Sequence, residues 1–282
     1  RGLTTPEQKF FIKKNFLPWK ASKEKKEKIF YLQKLTKELN FKKSLDKIIF
    51  QEKLNINLDK NLFLEKYTYL KGFETGIDNT FPGSGYLDFF NNNLVVISSR
   101  GVLGYSPLDK NTFNFKQIEN NIHNFINEQQ FKKHKRFSIK DLHINNNRIY
   151  VSYTEEIEKN CWNMSILSAD FSYSKINFKK LFSPKECIHS IKNNNNEFNA
   201  MQSGGRIISL DNDHIIFSTG EFRSRYLAQN IQSINGKLIK INIKSSNFKI
   251  ISSGHRNVQG LLYDKDENIL LLTEHGPAGG DE

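Results

Sequence analysis

Gly260-Leu-Leu-Tyr-Asp-Lys-Asp-Glu-Asn-Ile-Leu-Leu-Leu-Thr273 decides the fold. An apolar run, an acidic turn with Asn and a second apolar run read as a β-hairpin. A hairpin brings its ends together, so Arg256, Asn257 and Gln259 on one side should lie near Glu274 and His275 on the other. Three earlier stretches have the same form: Gly85–Ser98 with Asn91-Asn-Asn93, Ile139–Ser152 with Asn145-Asn-Asn147, and Gly205–Ser218 with Asp211-Asn-Asp213. Asn and Asp tolerate the positive φ of tight hairpins. The turns recur about every 54, 66 and 54 residues. Repeats of that length around two strong strands indicate propeller blades. A β-sandwich would instead turn every 8–12 residues or so. Trp162–Ser168 and Lys237–Ile243 supply the next strands of their blades.

The spacing therefore predicts an all-β chain: an incomplete β-propeller, about four blades of six, over residues 76–282. Residues 1–75 form a separate basic segment and linker. Thr5, Pro6 and Glu7 suit a helix start. Ile29, Leu32, Leu35 and Leu39 recur at helical spacing, which predicts a helix over about 22–39. The chain starts without Met and stops inside a motif, so both ends read as cut.

The net charge of +12 is uneven. Residues 1–50 hold 14 Lys/Arg against 5 Asp/Glu, a net of +9. A basic leader can lie near anionic lipid. Its interleaved Lys and Glu, as in Lys23–Lys28, equally fit a solvated helix face, and nucleic acid is not expected as a partner. No apolar run reaches membrane-spanning length. Cys161 and Cys187 are the only cysteines, which excludes Cys-x-x-Cys zinc or redox chemistry. They flank one strand pair and are either a disulfide or two buried thiols. Phosphate loops and G-x-S-x-G elbows are absent.

Arg256-Asn-Val-Gln-Gly260 followed by Glu274-His-Gly-Pro-Ala-Gly-Gly-Asp-Glu282 resembles the paired motifs of the soluble quinoprotein glucose/sorbosone dehydrogenase family. The likeness runs back through Gly236-Lys-Leu-Ile, Gln229, Gly220-Glu221 and Gly204-Gly-Arg-Ile207, covering roughly 198–282. It implies a six-bladed propeller that binds the quinone cofactor PQQ and calcium and oxidises a sugar or related alcohol, in the periplasm or outside the cell. By motif position, Arg256, Asn257 and Gln259 would hold PQQ, and the backbone carbonyls of Gly276 and Pro277 would hold calcium. The family's base His falls here on Met201 or Gln202, and its Asp after the Gly on Glu221. The implied catalytic positions are thus Gln202 and Glu221, with His189 or His275 left to substitute for the base. The other reading is a catalytically silent propeller that binds a carbohydrate or protein partner. Oligomeric state is not legible.

Overall fold

The computed structural model describes residues 25–33, 48–49, 52–59, 62–68, 85–108, 114–126, 128–134, 136–193 and 197–276. Contacts divide the chain into two compact units, Arg1–Asp46 and Lys47–Glu282. In the first, residues 25–33 are helical, inside the helix expected from the apolar spacing. Leu35 and Leu39 lie outside the described residues.

The second unit is built of β-sheets. Strands β1 (Ile48–Ile49), β2 (Glu52–Asp59) and β3 (Leu62–Thr68) come first, with β2 and β3 paired as a hairpin. The first blade is β4 (Gly85–Phe90), β5 (Asn93–Ser98), β6 (Leu103–Pro107) and β7 (Asn114–Asn120), with β1 added outside β7. The second is β8 (Ile139–Asn145), β9 (Arg148–Glu158), β10 (Cys161–Asp170) and, after β11 (Lys175–Ile176), β12 (Lys179–Phe182). Short β13 (Ile188–His189) also pairs with β10. The third is β14 (Gly204–Ser209), β15 (His214–Thr219), β16 (Lys237–Asn242) and β17 (Phe248–Ser253). Strands β18 (Val258–Asp264) and β19 (Ile269–Glu274) begin a fourth. The expected propeller is thus present, and each expected hairpin turn falls between two paired strands. Asn91, Asn92, Asn146, Asn147 and Asn268 all have positive φ, the conformation for which Asn is suited.

The burial pattern shows why these strands stack as blades. Strands β5, β9, β10 and β15 are buried along almost their whole length, on both faces. A strand covered on both sides reads as a continuous apolar run rather than an alternation. One apolar cluster joins the first two blades through Val95, Ile97, Ile139, Val151 and Leu167. A second joins blades two and three through Met164, Ile166, Ile207, Phe217 and Ile239. A third joins the last hairpin through Ile216, Leu238 and Val258. Each fully buried aliphatic side chain contributes about 1.5–3 kcal/mol. The outward flanks differ: Leu87 and Phe89 on β4 and Leu262, Ile269 and Leu271 on the last hairpin remain exposed. Among the described residues the ring is therefore open on both sides.

Cys161 and Cys187 form a disulfide with Cα atoms 5.3 Å apart. It fastens β13 to the start of β10, where Cys161 is opposite His189 and Trp162 opposite Ile188. Trp162 is fully buried and stacks on Phe137 at 3.5 Å between centroids. The bridge thus anchors the edge on which the segment leading into β8 rests. Replacing both cysteines by alanine should cost about 3 kcal/mol in denaturant unfolding, from the loop entropy returned to the unfolded chain. Thiol titration of the native protein should find no free cysteine.

Candidate functional site

The innermost strands β4, β8, β14 and β18 stand side by side, each with one edge that has no partner strand. Three of them slip register at their first rungs: between Ile139 and Asp141, between Gly204 and Ile207, and between Val258 and Gly260. A bulge of this kind puts an extra residue into the strand and re-aims side chains. Here the residues at the slips are Lys140, Gly205 with Arg206, and Gln259.

Side chains from neighbouring blades satisfy the free edges. Asp141 accepts from Ile207 N–H at 2.8 Å and from Arg206 Nη1 at 3.0 Å. Ser152 donates to Gly205 O at 2.6 Å. Arg206 Nε donates to Gln259 O, and its guanidinium lies 5.5 Å from the Tyr86 ring centroid. Asn257 Oδ1 accepts from Gly204 N–H at 3.0 Å and from Gln259 Nε2 at 2.9 Å. Burial pushes the Asp141 carboxyl above its ordinary range, with Arg206 and two backbone N–H groups pulling it back.

The residues flanking the last hairpin come together. Glu274 accepts from the N–H groups of Arg256 at 2.7 Å and Asn257 at 3.2 Å, and its other oxygen meets His255 Nδ1 at 3.1 Å. Arg256 Nη1 donates to His275 O at 3.3 Å and to Gly276 O. Arg256 and the carbonyl expected to bind calcium are therefore in direct contact. Pro277 lies outside the described residues.

Glu221 belongs to the same place. Its N–H donates to Arg256 O at 3.1 Å. Its side chain is buried, and Oε1 has no hydrogen-bond partner. Burial raises its pKa, against the pull of Arg256, Arg225 and Arg223. Glu221, Arg225, Arg256, Glu274, His275 and Gly276 line a cavity of about 250 Å³. Gln202 is buried beside this segment, where its carbonyl accepts from Phe222 N–H at 2.8 Å, and its Oε1 also lacks a partner. Met201 is 48% exposed. His189 is on β13 beside the disulfide, whereas His275 lines the cavity. His214 sits at the far turn, bonded to Asp211.

Two residues of the motif run quoted above have structural roles that were not legible in the sequence. Lys237 is fully buried, and its ammonium donates to Leu227 O, Ala228 O and Asn235 O at 2.8, 2.6 and 3.0 Å. It closes the end of the short helix Tyr226–Gln229, which forms one cavity wall. Gly220 is the second. A Cβ there would stand 2.2 Å from Gln202 O and 2.4 Å from Ser203 C, both backbone atoms.

A family model for glucose/sorbosone dehydrogenase matches residues 138–282, just over half of the chain. The chain belongs to the glucose/sorbosone dehydrogenase family. It is 35% identical over 92 residues to the aldose sugar dehydrogenase YliI of Escherichia coli K12, covering 28% of this chain and 25% of that protein. A crystal structure of a glucose dehydrogenase superposes with a TM-score of 0.53 at 20% identity, over 70% of this chain and 59% of that one. The PQQ-bound aldose sugar dehydrogenase of Streptomyces coelicolor gives a TM-score of 0.50 at 18% identity, over 71% and 63%. These structural likenesses concern the fold. The chain spans less than two thirds of the length of each of these relatives. In this family member the start of β14 with its G-G-R turn, the Gly220-Glu221 pair just after the end of β15 and the Arg256 motif before β18 lie at one edge of the sheets. Gly220→Ala should lower stability by about 1–3 kcal/mol in urea unfolding, because the backbone it would strike cannot rotate away.

Proposed function

We propose that this chain carries the cofactor face of a PQQ- and calcium-dependent dehydrogenase acting on a sugar or related alcohol. The observation that carries the reading is the contact of Arg256 with the carbonyls of His275 and Gly276 beside the buried Glu221. The residues present fit such a group. PQQ is anionic and rich in carbonyls, and Arg256 offers it a fixed positive charge. Asn257 uses Oδ1 on Gly204 and Gln259, which leaves its amide N–H groups as donors. The Gly276 carbonyl already holds a cation, the Arg256 guanidinium. Calcium would take that carbonyl with the one from Pro277, as suits a hard ion. Among the described residues no cluster of three or more His, Cys, Asp or Glu side chains is placed for a metal, so backbone oxygens are the ligands proposed.

When bound, PQQ supplies the two-electron acceptor. The chain's own part is to orient the substrate and take its hydroxyl proton. Glu221 is the acceptor we assign, because its buried Oε1 has no hydrogen bond, whereas both oxygens of Glu274, the other carboxylate lining the cavity, are bonded. A raised pKa makes it a stronger base than an ordinary glutamate. Gln202, with its own unpaired oxygen, would accept a second hydroxyl hydrogen bond. Met201 and Gln202 stand where a proton-accepting His is expected, and this one feature favours the second reading, a silent propeller that binds its sugar without oxidising it.

The disulfide suits an oxidising compartment, the periplasm or the exterior. Among the described residues no helix is long and apolar enough to cross a membrane. The basic first 50 residues suit an anionic membrane surface nearby.

Spectrophotometric titration of the intact chain with PQQ and calcium should show binding that Arg256→Ala weakens at least about tenfold, the scale of one lost charge-assisted hydrogen bond. Unchanged affinity in that variant would overturn the assignment. Dye reduction with a panel of aldoses then separates the two readings. If Glu221 is the base, activity should fall as pH drops through a midpoint above the ordinary glutamate range, since only the carboxylate accepts a proton. Met201→His should raise turnover, because an imidazole accepts protons near neutral pH. Binding without turnover in both forms would leave the silent propeller.

A further inference from the structure

The segment Ser233–Lys237 is buried throughout and passes behind the cavity without lining it. Gly236 N–H donates to Gly220 O at 3.3 Å, and Gly236 O accepts from His255 N–H at 3.1 Å. A Cβ on Gly236 would stand 2.7 Å from Ala228 Cβ, so the segment rests directly on the cavity wall. Lys237 reaches from it to Leu227 O and Ala228 O, and Thr219 Oγ1 donates to Ile234 O. Where this segment lies therefore sets three neighbours of the cavity. Ala228 lines it, Gly220 precedes Glu221, and His255 precedes Arg256.

Glu186, on the loop between β12 and β13, fixes the segment from the other side. Its Oε1 accepts from Ser233 Oγ at 2.7 Å and its Oε2 from Ile234 N–H at 2.8 Å. Ser233 Oγ accepts in turn from Asn235 N–H at 3.0 Å, and Asn235 O is the third acceptor of the Lys237 ammonium. A continuous line of contacts thus runs from the second blade to the carbonyl of Ala228. The charges at its two ends support each other: burial lowers the Lys237 pKa, and the Glu186 carboxylate opposes that fall. Glu186 is itself held twice. Its carbonyl accepts from Nδ2 of the fully buried Asn163 at 2.8 Å, and its chain neighbour Cys187 is bonded to Cys161 at the start of β10. A side chain locked in this way from behind is what a site needs to keep its wall in one place.

We propose that Glu186 is a positioning residue for the cavity, and that the Cys161–Cys187 disulfide acts on the cavity through it. Glu186 does not line the cavity. It decides where the Ala228 wall and the backbone beside Glu221 and Arg256 stand. The proposal rests on the quinoprotein reading only for what the cavity binds.

Hydrogen exchange of the intact chain without ligand tests the support itself. Wild type is compared with Glu186→Ala, Glu186→Gln, a Cys161→Ala/Cys187→Ala double variant, and that double variant carrying Glu186→Ala. Exchange over residues 225–237 is taken relative to Asn93–Ser98 in the first blade. Glu186→Ala should speed it about tenfold or more, the scale of a lost hydrogen bond to a charged group. Glu186→Gln should stay close to wild type, because its amide oxygen still accepts from Ile234 N–H and its NH₂ can donate to Ser233 Oγ. The double cysteine variant should speed exchange there as well. Adding Glu186→Ala to it should bring no comparable further rise, since both changes act on one line of contacts. PQQ with calcium is then titrated into the same proteins. Affinity should fall about tenfold in Glu186→Ala and in the cysteine variant, hold in Glu186→Gln, and fall no further in the combination. The proposal is overturned if relative exchange in Glu186→Ala matches wild type, if the two changes add, or if wild type and Glu186→Ala both bind PQQ equally well. If exchange behaves as stated and wild type binds no PQQ, the quinoprotein reading falls and Glu186 stands as the support of the wall.

Discussion

An inner strand of a radial sheet has an edge that no other strand covers, and this constraint organises the molecule. Backbone N–H and C=O groups shut away from water must be paired. Here side chains of the adjacent blades do the pairing. Asp88 accepts from Ile144 N–H at 2.7 Å between blades one and two, and Asp141 accepts from Ile207 N–H between blades two and three. Arg206 and Asn257 make the corresponding links to the last hairpin. Three of these groups, Asp141, Arg206 and Asn257, also stand at or beside the starts of the inner strands. Packing between blades contributes most of the burial, but the edge bonds set where each blade stands around the axis.

The fold was legible because its determinants are local. Four Asn/Asp turns between apolar runs specify four hairpins, and their recurrence specifies the architecture. The convergence of Arg256 with Glu274 and His275 was legible for the same reason, since a hairpin must return to its starting point. The bulges were not. A register slip at Lys140, Arg206 or Gln259 comes from inter-strand pairing, and no periodicity in one strand encodes it. The role of Asp141 was hidden with it, because its partners Arg206 and Ile207 are about 65 residues away on another strand. Lys237 was hidden for another reason: a lysine in a Gly-Lys-Leu-Ile run reads as solvent-facing until the helix end that it caps is seen. The two cysteines left two readings open, and only the pairing of β13 with β10 brings their Cα atoms to 5.3 Å.

Charge is distributed at the mouth in a way that composition conceals. Outside residues 1–50 the chain carries a net of only +3. Yet Arg225 and Arg256 line the cavity, and Arg206 stands near the start of β14. The carboxylates there are mostly committed: Asp141 to Arg206, and Glu274 to backbone N–H groups and His255. Glu221 is the exception, with one oxygen left over. In a partly desolvated channel such an imbalance has more weight than the same charges on an open surface.

The edge bonds also have a direction in time. Each carboxylate that bridges the first three blades belongs to the earlier blade, and its N–H partner to the one made next: Asp88 precedes Ile144, and Asp141 precedes Ile207. Chains fold as they leave the ribosome, N-terminal parts first. The four main strands of each blade are contiguous in sequence, although β11, which follows β10, pairs with β7 of the first blade. The edge bonds thus give the ring a polarity, with each carboxylate on one blade matched to an N–H group on the next.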